Sequence, residues 1–318
     1  MIKVLVVGGG PAGLIICERL ARVDCFDVTL MEQKKTVGRK FLVAGDGGLN
    51  LSNNQPLTYF LEQYNHPFIT EAVQQFDALS LESWLNHLEV PTYYGSSGKL
   101  FPKEGWKPIQ VLNAITDRIF SLGVHVLSNT KVVGWRNKDV DFVDASGIMQ
   151  SDSFDVICFA MGGASWSTTG SDGRWTNFIE EKLKVIPFQS SNAGIEIKNG
   201  FSESYRGQFL KNVVVHVGSK SVLGEVRFTD YGLEGAPIYA LNGGIRGGVK
   251  KVHIDLKQSK SEDELLQALK NWKKSRSEFL KTMKLGFGLI LLKDYLTKEQ
   301  FMENDVLIGY IKKFPLEV

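Results

Sequence analysis

The chain has 318 residues, 43% hydrophobic, 23% charged and 11% aromatic, the make-up of a folded globular protein of about two domains. A net charge of +2 is too small to argue for a nucleic-acid or membrane-surface partner. No apolar run approaches the roughly 18 residues of a membrane span, and the apolar N-terminus breaks into glycines too early for a signal peptide. Cys17, Cys25 and Cys158 form no Cys-x-x-Cys pair and fit a reducing, cytoplasmic setting, with Cys17 and Cys158 as small core hydrophobes.

IKVLVV (2–7) is a near-continuous aliphatic run and predicts a strand buried on both faces. PAGLIICERLARV places Leu14, Cys17, Leu20 and Ala21 at helical spacing, and DVTLME predicts a second strand, giving a strand–helix–strand opening from Ile2 to Glu32. Residues 38–54 follow as a glycine-punctuated segment far longer than a connector needs. A mostly helical stretch from Leu57 to Leu88 precedes the turn-rich PTYYGSSGKLFP. PIQVLNAITDRIFSLG predicts a helix with Pro108 at its start and Gly123 past its end. VHVLSN, TKVVGWRN and VDFVDASG read as short strands, and FDVICFAMGG as a further buried one. Beyond Pro187 the texture changes. NAGIEIKN, KNVVVHVGSK, VLGEVRFTDYG and KKVHIDLKQ predict strands joined by polar turns. SEDELLQALKNWKKSRSEFL predicts one amphipathic helix, and GFGLILLKDYL and DVLIGYIKKF two short ones. The expected domains are 1–187, a Rossmann-like α/β fold, and 188–318, β-rich and helical.

Gly8, Gly10 and Gly13 spell G-x-G-x-x-G between the first strand and the first helix. Gly8 permits the tight turn, Gly10 lets a pyrophosphate approach the backbone, and Gly13 allows close helix–strand packing. The helix starting near Pro11 and Ala12 offers unpaired N–H groups and a partial positive charge to that pyrophosphate. Glu32, followed by Gln33, closes the second strand, where a carboxylate accepts from a ribose diol and repels a 2′-phosphate.

The residues after Glu32 decide which dinucleotide is expected. A bare NAD domain proceeds briskly to its next helix, whereas residues 38–54 are long enough to run beneath an extended FAD. Arg39 and Lys40 can add charge-assisted bonds to the pyrophosphate. Gly45, Gly47 and Gly48 would let backbone approach a flat ring, with Asp46 and Asn50 as contacts to the isoalloxazine. Val132 or Val133 can offer backbone to an adenine, although core packing is the simpler reading of each. Ala160 and Gly162 close the list, at the carboxyl end of a buried strand where a cofactor can lie against the backbone. The five histidines share no ligand spacing, so no metal is expected. Trp106, Trp166 and Trp175 read as packing residues.

GGGPAG (8–13), GRKFLVAGDGGLNLSN (38–53), GSSGKLFPKE (95–104), FAMGGASWSTTGSDG (159–173) and FTDYGLEGAPIYAL (228–241) together resemble the HI0933-like flavoproteins, described as NAD(P)/FAD-dependent oxidoreductases or aminoacetone oxidases. The resemblance runs over essentially the whole chain. It implies a two-dinucleotide-binding-domain flavoprotein fold, in which a β-barrel-like and helical insert interrupts the FAD domain. Many members have Gly-Arg-Cys-Asn where this chain has Gly48-Leu49-Asn50, so it is similar to a GGLN branch without that cysteine and arginine. In the family a segment like KKFPLEV leads back into the FAD domain; the chain ends there, at Val318, and is expected to be a truncated sequence.

The resulting expectation is an oxidoreductase with non-covalent FAD. It passes hydride from NADH or NADPH to an unidentified small organic acceptor, by C=C reduction or amine or oxygen chemistry. Asn50, Lys99 and Asp230 are the candidates for a catalytic role, and the resemblance places the segment of Thr229, Asp230 and Tyr231 on the substrate side of the flavin. Three alternatives stay open: a reductase of a uridine in RNA, a flavin-binding protein or inactive fragment without turnover, and a simple NAD-dependent dehydrogenase.

Overall fold

The computed structural model describes residues 1–44, 48–64, 66–96, 98–180, 183–198 and 200–318. The chain divides into two units, Met1–Phe188 and Gln189–Val318.

The first unit opens with β1 (Ile2–Val7), α1 (Pro11–Leu20) and β2 (Phe26–Glu32). It continues through α2 (Arg39–Ala44), β3 (Ser52–Asn53), α3 (Leu57–Glu62), α4 (Pro67–Gln75) and α5 (Ala78–His87). Next come β4 (Thr92–Tyr94), β5 (Lys99–Pro102), α6 (Pro108–Ser121), β6 (His125–Ser128), β7 (Lys131–Arg136), β8 (Asp139–Val143), β9 (Met149–Ser153), β10 (Val156–Phe159) and α7 (Asn177–Glu180). The central sheet has the order β10-β1-β2-β6, and all its pairings are parallel.

Side-chain alternation explains why β1 is aliphatic throughout. Val4 and Val6 pack with Leu14 and Cys17 of α1 and with Val111, Ile115 and Ile119 of α6. Leu5 and Val7 point the other way, into Val132, Val140 and Phe154 beside the small sheet β7-β8-β9. Buried Glu18 ties α1 to α6: its carboxylate accepts from Arg22 Nε at 2.8 Å, and Arg118 Nε lies 3.7 Å away.

Three segments gain detail here. The 57–88 stretch is three helices, broken at Pro67 and at Asp77, whose carboxylate accepts from the Ser80 amide at 2.9 Å as an N-cap. Within residues 38–54, Arg39–Ala44 is helical and Ser52–Asn53 pairs with β5 in the sheet β3-β5-β4. Leu49, where relatives were expected to carry cysteine, is 8% exposed and belongs to the core.

The second unit contains β11 (Ile195–Glu196), β12 (Phe209–Val217), β13 (Lys220–Phe228), β14 (Gly232–Glu234), α8 (Ala236–Arg246) and β15 (Lys251–Asp255). It ends with α9 (Glu262–Lys270), α10 (Arg276–Thr282), α11 (Gly288–Tyr295), α12 (Lys298–Met302), α13 (Asn304–Lys312) and β16 (Phe314–Glu317). Its sheet, β11-β14-β13-β12-β15-β16, is antiparallel at every pairing. The terminal FPLE forms β16 against β15.

One face of this sheet carries a contiguous core that includes Leu210, Val215, Phe228, Ile254, Phe279, Leu292 and Phe314. Phe201, Tyr205 and Phe287 pack edge-on around Phe228 at ring separations of 4.8 to 5.5 Å. Tyr205 Oη donates to Asp294 at 2.5 Å, so the one polar atom of that cluster is satisfied. The expected single helix 261–280 is two. Ser261 with Glu264 and Ser275 with Glu278 each form a capping box, and the second starts a new helix inside the apparent run.

Candidate functional site

At the carboxyl ends of β1, β2 and β10 the first unit encloses a cavity of about 670 Å³, within the usual range for a cofactor site. Its floor is the turn between β1 and α1. Gly8 has φ +105, and a Cβ there would approach the Ala160 carbonyl oxygen to 2.6 Å. A Cβ at Gly13 would overlap the Gly8 carbonyl oxygen, so residue 13 shapes the turn through packing and does not itself line the cavity. Gly10 differs: an added Cβ meets no described protein atom within 4 Å. Among the described residues nothing demands glycine at 10, and the space it leaves open is cavity. The amino end of α1 has no side-chain cap and no acidic residue in its first turn. Its N–H groups and positive dipole end are therefore available to an anion beside Gly10, Pro11 and Ala12.

Glu32 lines the same cavity with its carboxylate already oriented. The Gly9 amide donates to Oε2 at 2.7 Å and the Lys34 amide to Oε1 at 2.8 Å. Each oxygen keeps a second lone pair for a ligand hydroxyl. Gln33, Arg39 and Lys40 also line the cavity. Lys40 Nζ donates to the Ser171 carbonyl at 3.0 Å, so this cation ties a wall segment down as well as facing the space. On the adenine side expected from the sequence, Val132 and Val133 both line the cavity. A bulge between Val132 and Gly134 leaves Val133 out of the β7–β8 ladder, which frees its backbone. Ala160 and Gly162 complete the set of predicted residues brought together.

Other predictions fall elsewhere. Asn50 is exposed and Lys99 lies exposed on β5; neither lines the cavity. Gly45, Asp46 and Gly47 lie outside the described residues. Gly48 faces the Phe101 ring, its added Cβ 3.8 Å from Cε1, and belongs to the small sheet's surroundings. Asp230 is in the second unit, where Arg206 Nε lies 2.8 Å from its carboxylate. Its neighbours are engaged in the same turn. Thr229 Oγ1 accepts from the Gly232 amide at 3.1 Å. Tyr231 donates to Glu234, and this bond, with burial, pushes its phenol up to about 12.

Sequence reasoning missed most of the far wall. Thr169, Gly170, Ser171, Asp172, Arg174, Trp175, Asn177 and Phe178 all line the cavity. Trp175 lines the site, and its Nε1 donates to the Gly162 carbonyl at 3.0 Å. Asp172 is held below its usual carboxylate range by the Arg174 amide, and then by the Arg174 guanidinium and Lys131. This wall lacks long regular elements, so no periodicity marked it; its signal was the density of Gly, Ser, Thr and Asp after a buried strand. Trp166 is not a packing residue, being 72% exposed, whereas Trp106 packs against the core. Among the described residues, no group of three or more His, Cys, Asp and Glu is placed to hold a metal, and no helix is long and apolar enough to cross a membrane.

A parallel sheet, a glycine turn, an uncapped helix end and a carboxylate closing the second strand define a Rossmann-like FAD-binding fold. Residues 2–266 match the HI0933-like protein Rossmann domain, and the chain belongs to this family. It is 23% identical over 267 residues to a 3-dehydro-bile acid delta(4,6)-reductase of Clostridium scindens, covering 80% of this chain and 64% of that protein. It is 24% identical over 288 residues to a ribosomal RNA dihydrouridine synthase of Haemophilus influenzae, covering 88% and 70%. The chain thus spans about two thirds of the length of these relatives. Among solved structures, the 3-ketosteroid-delta4-(5alpha)-dehydrogenase of Rhodococcus jostii RHA1 overlaps 51% of this chain and 46% of its own, with 15% identity and a TM-score of 0.40. A flavoprotein/dehydrogenase of Cytophaga hutchinsonii overlaps 51% and 39%, with 16% identity and a TM-score of 0.31.

Proposed function

We propose that the chain holds FAD non-covalently in this cavity and works as an oxidoreductase that takes reducing equivalents from NADH or NADPH to a small organic acceptor. The observation that carries the reading is the uncapped end of α1, opening past Gly10 into a cavity that also presents the Glu32 carboxylate. The α1 N–H groups would hold the pyrophosphate, with Arg39 adding charge. Glu32, fixed by the Gly9 and Lys34 amides, would accept from ribose hydroxyls, and Val133 would offer backbone to the adenine. Ala160 and Gly162 would give the rest of the cofactor a backbone surface. When bound, FAD supplies two-electron chemistry between a reduced nicotinamide and an electron-poor C=C bond, a quinone-like acceptor or oxygen. The chain's part is to bind, orient and shield. The free thiols Cys17, Cys25 and Cys158 support a reducing, cytoplasmic setting.

An absorbance spectrum of the purified protein with added FAD tests this. Retained flavin bands near about 370 and 450 nm are expected, and anaerobic bleaching by NADH against NADPH identifies the reductant. A colourless protein overturns the reading; a coloured one that neither nucleotide bleaches supports flavin binding without turnover.

A second reading, reduction of a uridine in RNA, is favoured by the uneven spread of charge. Residues 189–318 hold twenty Lys and Arg against fifteen Asp and Glu, whereas residues 1–188 hold seventeen against twenty. RNA binding that weakens steeply with salt supports it, and binding that does not change with salt counts against it.

A further inference from the structure

In the second unit the charges of α9 and α10 are segregated. The acids of α9 stand in its first turn, at Glu262, Asp263 and Glu264, and its last residue is Lys270. At 1.5 Å per residue Glu264 is about 9 Å along the helix from Lys270, roughly one Debye length at physiological salt. From there cations dominate. Residues 270–284 hold Lys270, Lys273, Lys274, Arg276, Lys281 and Lys284 against one acid, Glu278. This stretch carries a net excess of five, which is the whole excess of twenty Lys and Arg over fifteen Asp and Glu in residues 189–318. The five lysines are exposed. Among the described residues the ion pairs of this unit lie elsewhere, at Lys198, Arg206, Lys211 and Lys312. Glu278 is engaged in its own cap, accepting from the Ser275 amide at 3.2 Å and the Ser275 hydroxyl at 2.9 Å.

Helix stability does not account for this placement. Lys270 and Lys281 lie in last turns, where a cation suits the negative end of the helix dipole. Lys273, Lys274 and Arg276 stand at the amino end of α10, where the same dipole disfavours them. Arg276 gains no compensation inside the protein, since its buried Nη1 has no hydrogen-bond partner among the described residues. The apolar side chains of the stretch turn inward. Phe279, Leu280 and Met283 are buried in the core, and Trp272 packs edge-on against Phe279 with its Nε1 donating to the Ser275 carbonyl at 3.1 Å. No large apolar side chain of residues 270–284 is exposed, so the surface offers nothing to enter a bilayer. A single small anion can meet one or two of these ammonium groups, whereas a chain of repeating phosphates can meet several.

We propose that the surface of residues 270–284 binds the phosphodiester backbone of RNA. The inference rests on the RNA reading given above and names the part of the second unit that holds the nucleic acid. Phosphate contacts of this kind position a protein on RNA without reading its sequence, and they release condensed counterions, so they set the salt dependence of binding.

The test uses the full chain and a fluorescein-labelled RNA hairpin, with anisotropy measured from about 50 to 200 mM salt. One variant combines K270Q, K273Q, K274Q, K281Q and K284Q, and a second changes the same five lysines to Arg. A third combines K220Q, K250Q, K251Q, K293Q and K298Q, exposed lysines elsewhere in the unit. Affinity of the first variant is expected to fall at least about tenfold, with the slope of log K against log salt shallower by about 2 or more. K273Q with K274Q alone, in the connection between the two helices, should flatten the slope by about 1. The Arg variant keeps its affinity, because charge is what the phosphates meet. The third variant loses the same net charge and stays within about threefold of wild type.

Wild-type affinity in the first variant overturns the patch and leaves the RNA reading standing. An equal fall in the first and third variants also overturns it, because net charge and not this surface then governs binding. A matching fall in the Arg variant does the same, since it points to packing. Phosphatidylserine–phosphatidylcholine vesicles that bind wild type more tightly than the hairpin does overturn RNA as the occupant. A wild type that does not bind the hairpin, or binds it without salt dependence, overturns the RNA reading and the patch together.

Discussion

In the first unit, β1 sends Val4 and Val6 into one core cluster and Leu5 and Val7 into another, so a four-residue run is buried on both sides. In the second, β12 buries Val213, Val215 and Val217 and leaves Val214 and His216 only partly covered. The parallel sheet spreads its packing over two thin layers and gathers its strand ends around a cavity. The antiparallel sheet concentrates packing on one face, where aromatic rings and five helices share a single core. The difference shows where each unit is vulnerable: the first in backbone approach at one turn, the second in side-chain volume.

Substitutions can break that contrast. The largest effect is expected from Gly13→Val, because a Cβ at 13 overlaps the Gly8 carbonyl and backbone cannot step aside. A loss of more than about 4 kcal/mol, with no FAD uptake, is expected in chemical denaturation and absorbance. Phe228→Ala should cost about 4 kcal/mol by leaving a void among Phe201, Tyr205 and Phe287. A cost below about 1 kcal/mol would show that the second unit's core is not set by ring volume.

Gly10→Ala sharpens the comparison. No described protein atom within 4 Å opposes the methyl group, so stability should change by less than about 0.5 kcal/mol. FAD affinity by titration should fall about tenfold or more, because the methyl occupies the space beside the helix end. Equal FAD affinity would remove Gly10 from the site.

The smallest effect concerns pH. Burial depresses the His253 imidazole below its ordinary 6.5, helped by Lys313, His216 opposite it and Lys251. Above about pH 6.5 both folded and unfolded chains hold it neutral, and it contributes nothing to the pH dependence. Below that, the unfolded chain takes the proton first, so stability falls until the folded pKa is passed. His253→Gln should show a shallower decline in denaturant midpoints as the pH falls below about 6.5, and parallel curves would contradict this.

The sequence alone determined the strand–turn–helix opening, the FAD expectation and the change of texture after Pro187. These are local matters. Hydrophobic period, glycine spacing and a carboxylate at a strand end are properties of neighbouring residues, and they remain legible without a partner segment. What lay between elements was less legible. Arg39–Ala44 contains helix formers, but the glycines around it hid the turn of helix they bracket. Asn50 and Lys99 stand in specific motifs, yet pairing of Ser52–Asn53 with β5 holds that region in its own small sheet.

Tertiary structure alone decided the far wall. Ser171 meets Lys40 across 131 residues of sequence, and Trp175 meets Gly162 only because the intervening loop folds back. Contacts closed over such distances depend on where the sheet places its strand ends, and no period or short motif in the chain records that.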